Sequence, residues 1–479
     1  MNMPIDNEKV LAATNQNQDL LVYKQPSNSS ATAPKNTGNT ASACRLDPAK
    51  LKDRIHCVQE LNKRYALAKV KTKTFVLDEI ATPPDMLNKS DFLDLYANKT
   101  VRLGPKDEQN LGHYWFTHPD RREYLDGMVF DPSGANSPDQ YNLWRGFAVK
   151  PDPNLSCGRI LAHIDEVICS KDTVCYEYLL DWLALMVQKP ESPPGVAICL
   201  LSGQGTGKGL FAQYIGKLLG PHYKHILDKG KLLGRFTGQL EDAVFVFADE
   251  LDWNGDKRDT GILKGLITEQ TRMMERKYVE AFEVKNCIHL LIASNERWAV
   301  PAEMDDRRFF VLEVSERRKG DTTYFSALVA EMDNGGPSAF LALLRNRDIS
   351  SFDPRQFPKT AARVDQQLRS LEPLDAWLYD ILDAGIHPVH MGAQPWPKDV
   401  FKDEFHAAYQ QWFVRSRKPG SPESKGHFTQ ALKQYGITTK KVLDSLHHKR
   451  VPGYQLPDLA TLRQAFEDRL GHSIPWDPP

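Results

Sequence analysis

Four short apolar runs frame the chain: residues 197–201, 243–248, 288–293 and 309–312. Polar positions hardly interrupt them, which is the length and pattern of a buried strand rather than a half-exposed one. Around them apolar positions recur at helical spacing. Residues 51–68 read as a helix, with apolar side chains at 51, 55, 58, 61 and 65. Residues 174–188 read as a strongly apolar helix, 210–219 as an amphipathic one, and 262–268 and 324–333 as further helical pieces, with another helix ending at Leu344. Residues 74–77 form a predicted strand, and 273–285 a β-hairpin. The segments 113–116, 128–130 and 143–149 are short, aromatic-rich and split by Pro and Gly. Later come two amphipathic helices (375–382 and 398–415), a short helix (428–435) and two strands (437–446 and 451–456). The fold class is α/β.

Composition divides this pattern into regions. Residues 1–47 hold a Ser/Asn/Thr/Ala/Gly-rich stretch that buries too little apolar surface to offset its ordering entropy, so they read as a disordered tail. Residues 48–160 read as an α+β accessory or oligomerisation region, 161–345 as the region with the chemistry, 346–365 as a polar linker and 366–479 as a separate domain. At 479 residues the chain is long enough for several cores. No run of about 18 apolar residues predicts a membrane span, and the polar, acidic start lacks a secretory h-region. The seven cysteines are scattered without a C-x-x-C pair, which reads as reduced thiols of a cytoplasmic protein.

The first apolar run ends in Ser202-Gly203-Gln204-Gly205-Thr206-Gly207-Lys208-Gly209. Strand, glycine-rich turn and helix in that order make a phosphate loop. Its backbone N–H groups point inward, the helix turns its positive end to the anion, and Lys208 supplies a point charge. Two positions depart from G-x-x-x-x-G-K-[ST]: Ser202 stands at the first glycine, and Gly209 replaces the hydroxyl that ordinarily ligates Mg²⁺. Thr206 or a water is the candidate substitute.

The second run ends in Asp249-Glu250, 41 residues after Lys208. There Asp249 is placed to hold Mg²⁺ through water and Glu250 to polarise an attacking water. The third ends in Asn295, a candidate sensor of a γ-phosphate. Arg307 and Arg308 precede the fourth and are candidates for an arginine finger given to a neighbouring subunit. Lys264, Arg276, Lys277 and Lys285, near Tyr278 and Phe282, are candidate contacts to a polynucleotide's phosphates and bases.

Formal net charge is −1, so any nucleic-acid contact must be local. Residues 401–450 carry ten Lys/Arg against four Asp/Glu, a basic concentration suited to phosphates. Lys440, Lys441, Lys449 and Arg450 lie in or beside the two predicted strands there. Three helices followed by a basic hairpin is the order of a winged helix.

The series of phosphate loop, Asp249-Glu250, the Lys264/Lys277 segment, Ser294-Asn295 and Arg307-Arg308-Phe309, within about 110 residues, resembles the superfamily 3 DNA helicases. More closely, it resembles the phage and mobile-element primase-helicase proteins related to poxvirus-type helicases, whose loops often read Gly-x-Gly-Thr-Gly-Lys-Gly, as 203–209 do. The resemblance implies an AAA+-like ATPase core, ATP with Mg²⁺, and a homo-oligomeric, usually hexameric ring on single-stranded DNA. Duplex contact would come through a C-terminal winged-helix-like domain, a replication primase or polymerase would be a partner, and the setting would be a bacterial host cytoplasm. The alternative is an ATP-switched initiator or loader that melts duplex DNA without processive unwinding. No primase domain is read in this chain.

Overall fold

The computed structural model describes residues 51–476, apart from 82, 105, 236, 251–256, 276–280, 296–305, 390–394, 417–420 and 445–446; at 51–55 and 257 it describes the backbone alone. The tail expected at 1–47 and the candidate DNA contacts Arg276 and Lys277 therefore lie outside the described residues. Two compact units result: residues 51–60 with 90–119, and residues 61–89 with 120–476.

Helix α1 (Leu51–Asn62) stops six residues short of the helix read from sequence, and strand β1 (Tyr65–Val70) follows at once. Asn62 marks the change. Its side chain donates to the Asp120 carbonyl and accepts from the Arg122 amide. Tyr65, taken as the next turn of the helix, instead opens a strand that pairs along its length with β2 (Lys73–Asp78), which in turn pairs β3 (Asp85–Leu87).

In the first unit, α2 (Lys89–Leu95), the hairpin β4 (Thr100–Arg102) and β5 (Glu108–Asn110), and α3 (Leu111–Thr117) close on Phe92, Tyr96 and Trp115. The Phe92 and Trp115 rings lie 5.1 Å apart. Asn110 caps α3 by accepting from His113 N at 2.9 Å.

The second unit continues through β6 (Glu123–Tyr124), β7 (Met128–Val129), β8 (Tyr141–Asn142), α4 (Gly158–His163), a π-helical turn at Ile164–Ile168 and α5 (Thr173–Gln188). Then come β9 (Ala197–Leu201), α6 (Lys208–Leu219), β10 (Tyr223–Ile226), α7 (Lys229–Leu233), β11 (Phe245–Asp249), α8 (Lys257–Thr268), the hairpin β12 (Thr271–Met274) and β13 (Phe282–Lys285), β14 (His289–Ser294) and β15 (Phe309–Glu313). A five-stranded, wholly parallel sheet runs β10-β11-β14-β9-β15.

Alternate residues of its strands divide between two cores. Ile198, Leu200, Phe245, Phe247, Leu291 and Phe310 join one with α5 and α6, and Ala197, Cys199, Val246, Leu290, Ile292 and Val311 join the other with Leu263 and Leu266 of α8. Both faces of β9, β11, β14 and β15 are dry, so these four read as continuous apolar runs, whereas edge strand β10 is partly exposed. The first of these cores also takes Phe130, Tyr141, Leu143 and Ile160, and Ala148 N donates to Leu218 O at 2.8 Å. Packing thus runs straight across residue 160, where the sequence reading placed a boundary.

Helices α9 (Thr322–Asp333) and α10 (Gly336–Asn346) follow. The expected linker at 346–365 ends inside a further helix, α11 (Ala361–Arg369), fastened to the sheet: Thr360 Oγ1 donates to Val311 O at 2.6 Å, and Arg363 Nη2 to Asp306 O at 2.8 Å. Beyond lie α12 (Pro373–Asp383), β16 (Asp399–Phe401), α13 (Lys402–Ser416), α14 (Lys425–Leu432), β17 (Thr438–Asp444), β18 (Lys449–Gln455) and α15 (Leu459–Leu470). Their core includes Trp377, Phe405, Tyr409, Phe428, Tyr454 and Phe466, beside an antiparallel sheet of order β16-β18-β17. Among the described residues no helix is long and apolar enough to cross a membrane.

Candidate active site

Strand β9 delivers the chain at Leu201 into a loop that ends on the first turn of α6. Gly205 and Gly207 adopt positive φ, +79° and +97°, which a side chain strains. At Gly207 there is also no room: a Cβ would lie 2.6 Å from His163 Cε1 and 2.7 Å from Phe325 Cε1. His163 Nε2 is 3.4 Å from the Gly207 carbonyl, and Nδ1 is 3.1 Å from the Tyr324 hydroxyl. A carbonyl only accepts, so Nε2 carries the proton and Nδ1 accepts from Tyr324. Burial pushes His163 down to about 4, so the loop rests on a neutral ring at neutral pH.

Lys208 opens α6 and is almost fully buried. Its three Nζ protons are shared among four acceptors: Ser202 O (2.9 Å), Ser202 Oγ (2.8 Å), Gly203 O (3.1 Å) and Asn295 Oδ1 (2.9 Å). Desolvation lowers its pKa, opposed by the negative charges of Asp249, Glu250 and Glu316. The sheet order explains the meeting with Asn295. Strand β14 lies between β9 and β11, so its tip stands between the loop and the acids. Asn295 Nδ2 donates to Glu250 Oε1, and Glu250 sits just past β11 at φ +52°.

Asp249, the last residue of β11, is held by His225 of β10, whose Nε2 is 3.2 Å from Asp249 Oδ2 and whose ring stacks on Phe247 at 4.9 Å. His225 was not singled out from sequence, because only the β10–β11 register brings it opposite Phe247. The structure thus gathers Lys208, Asn295, Glu250 and Asp249 at the carboxyl ends of three adjacent parallel strands.

The Thr206 hydroxyl does not face this opening. It is buried and turned inward, 2.7 Å from Ser202 Oγ and 3.4 Å from Gly203 O. Nothing lies within 4 Å of a Cβ at Gly209. Neighbouring, partly open carboxylates at Asp249 and Glu250 are hard oxygen donors that suit Mg²⁺. Among the described residues no group of three or more His, Cys, Asp or Glu side chains forms a metal cluster.

Arg307 and Arg308 lie at the opposite, amino-terminal end of the strands, just before β15 beside β9. Phe309 pairs with Ala197 at the start of β9, so they stand about six to seven strand residues, or roughly 20 Å at about 3.3 Å per residue, from the loop at Ser202. Arg308 is engaged by Asp306, through Nη1 at 3.2 Å and its backbone N at 3.0 Å, whereas Arg307 is exposed. Buried Asp306 also pairs with Lys264 at 3.5 Å. The candidate DNA contact Lys264 is therefore turned into this cluster, only 17% exposed. Lys285 is 3.7 Å from Asp131, and Lys440 is 2.6 Å from Asp399. Lys441, Lys449 and Arg450 are exposed on the β17–β18 hairpin, where Arg450 pairs across from Leu443.

Residues 200–308 match a family model described as a family of unknown function, DUF5906. A DNA primase-polymerase of Nitratiruptor phage NrS-1 is 33% identical over 139 residues, 28% of this chain but only 19% of the relative's length. Solved structures of the NrS-1 C-terminal region superpose with TM-scores of 0.62. One, an apo form, is 16% identical over 85% of this chain and 100% of its own; another is 17% identical over 84% and 99%. The chain therefore shares the fold of that region. A structure of JCV helicase is 18% identical and covers 48% of this chain and 64% of its own at a TM-score of 0.28, a level too low to carry an argument.

Proposed function

We propose that this chain is an ATP-driven DNA helicase in the replication of a phage or mobile element, working as a hexameric ring on single-stranded DNA. One observation carries the reading: Lys208, Asn295 and Glu250 are linked side chain to side chain at the carboxyl ends of adjacent parallel strands, beside a loop that turns on the positive-φ glycines Gly205 and Gly207. In that reading the core is an AAA+-like P-loop ATPase. The backbone of Gly203, Gln204, Gly205, Thr206, Gly207 and Gly209 and the Lys208 ammonium hold the triphosphate. Asp249 would hold Mg²⁺, since Thr206 is turned away, and the ion would supply neutralisation of the phosphate charge when bound. Glu250 takes the proton of an attacking water, and Asn295 orients that water relative to the γ-phosphate.

The position of Arg307 supports action in trans, because it stands across the sheet from its own loop and is exposed. The C-terminal order α12, β16, α13, α14, β17, β18 supports a winged-helix-like domain, with Lys441, Lys449 and Arg450 free to meet duplex phosphates. Likeness to a phage primase-polymerase supports the replication setting and makes a primase or polymerase a reasonable partner.

The test is ATP hydrolysis with and without single-stranded DNA, on protein of measured oligomeric size, together with strand displacement. Hydrolysis stimulated by DNA and lost in Lys208→Ala is expected. Hydrolysis with local melting but no displacement would favour the initiator or loader, and none in the wild type would remove the ATPase.

A further inference from the structure

The turn after β15 comes back over the phosphate loop. Val314 N donates to Leu201 O and Ser315 N to Val167 O, both at 2.8 Å, and the Glu316–Arg318 turn that follows is capped by the Ser315 hydroxyl. This fixes Glu316 and Lys319 at the loop's mouth. A Cβ on Gly203 would lie 2.6 Å from Glu316 Oε1 and 3.2 Å from Lys319 Nζ, and one on Gly205 would lie 3.9 Å from Lys319 Cγ. Lys319 Nζ is 3.3 Å from both Glu316 carboxylate oxygens.

The other cations of the turn differ. Arg318 is held by Glu166 at 3.0 Å and Asp321 at 3.3 Å and lies over the Tyr324 ring, and Arg317 is not among the nearest neighbours of a Cβ at Gly203 or Gly205. Lys319 alone of the three combines an exposed ammonium with a place against the glycines, and its carboxylate partner stands where an arriving anion would go.

Resting on the nucleotide reading of this loop, we propose that Lys319 is a second, cis-acting cation for the nucleotide phosphates, masked by Glu316 until they arrive. Lys208 meets the phosphates from the helix side and Lys319 from the solvent side. A carboxylate and a phosphate repel each other at this range, so binding exchanges the Lys319–Glu316 pair for a Lys319–phosphate pair. Glu316 therefore opposes binding and Lys319 favours it, although they sit on one turn. A merely structural pair would give the same sign for both.

The experiment is equilibrium binding of a non-hydrolysable ATP analogue with Mg²⁺ to the full chain. It compares wild type, Lys208→Ala, Lys319→Ala, Lys319→Arg and Glu316→Gln, each checked for an unchanged melting transition. Lys319→Ala is expected to weaken binding about tenfold, the scale of one charge-assisted contact. Lys319→Arg should recover most of that, and Glu316→Gln should tighten binding several-fold. Wild-type affinity in Lys319→Ala, or equal weakening in Lys319→Ala and Glu316→Gln, would overturn the proposal while leaving the loop's role intact, provided Lys208→Ala has lost binding. Absence of binding by the wild type would overturn both.

Discussion

Asn295 Oδ1 accepts from the Lys208 ammonium at 2.9 Å while its amide nitrogen donates to Glu250. One side-chain amide thus ties the cation beneath the glycine-rich loop to the acid proposed to activate water. Asn295→Ala removes both bonds without touching the glycines. Turnover should fall by about 100-fold, the scale of losing one positioned donor, with a much smaller change in KM. Steady-state ATPase kinetics check this, and a loss confined to KM would take Asn295 out of the chemical step.

Arg307 is exposed at the amino ends of the strands, away from its own loop at their carboxyl ends. Arg307→Ala should lower turnover by about 10³-fold, as for an arginine finger, in assembled protein only. Mixing it with Lys208→Ala should restore part of the activity, because some seams then pair an intact loop with an intact arginine. Failure to recover at every mixing ratio, with assembly verified by light scattering, would place Arg307 outside the reaction.

Gly207→Ala meets both a positive φ and the His163 and Phe325 rings. It should destabilise the fold by about 2 kcal/mol or more and abolish nucleotide binding. Gly209→Ala, with open space around it, should leave stability within about 0.5 kcal/mol. Denaturant titration of the two variants separates these outcomes.

Burial pushes both His163 and His289 down to about 4 in the folded chain, against about 6.5 when unfolded. As pH falls below about 6.5 the unfolded chain takes up these protons first, so their contribution is intact above that pH and is lost progressively toward pH 4. At about 1.4 kcal/mol per pH unit, each removes up to about 3 kcal/mol over the window. The denaturant midpoint should therefore drop between pH 7 and pH 5. His289→Asn should flatten the drop, since an amide does not titrate there.

Lys449 and Arg450 lie exposed on the β17–β18 hairpin. Replacing each with Ala should weaken DNA binding and reduce the slope of log K against log salt by about 0.9 per phosphate contact on duplex, or about 0.7 on a single strand. The slope that changes tells which form the hairpin grips, and an unchanged slope on both would mean that it grips neither.

Four strands of the parallel sheet were readable because strands dry on both faces leave unbroken apolar runs, and the turn after β9 because glycine spacing is itself the geometry; β10, with Lys224 and His225 in a partly exposed strand, left no such run. Helix α11 was missed because its signal is short: Arg363, Gln366 and Gln367 are its buried residues, and only Val364 and Leu368, four apart, pack from it against the C-terminal core. Helix α15 carried a usable signal in Leu462, Phe466 and Leu470, four residues apart. The end of α1 was misread because Tyr65 fits the helical period and the strand pattern equally. The nearness of Lys319 to Gly203, and of His225 to Asp249, depends on strand register, which no local motif encodes.

Asp306 draws one arginine from its own strand's approach, one lysine from α8 and one arginine from α11, the last by its backbone carbonyl. Arg307 is its immediate neighbour in the chain. A joint so heavily braced leaves that segment little freedom to swing alone, so any reorientation of α11 carries the exposed guanidinium with it as a lever on a fixed pivot. The C-terminal helices and the edge of the sheet are in that sense geared together.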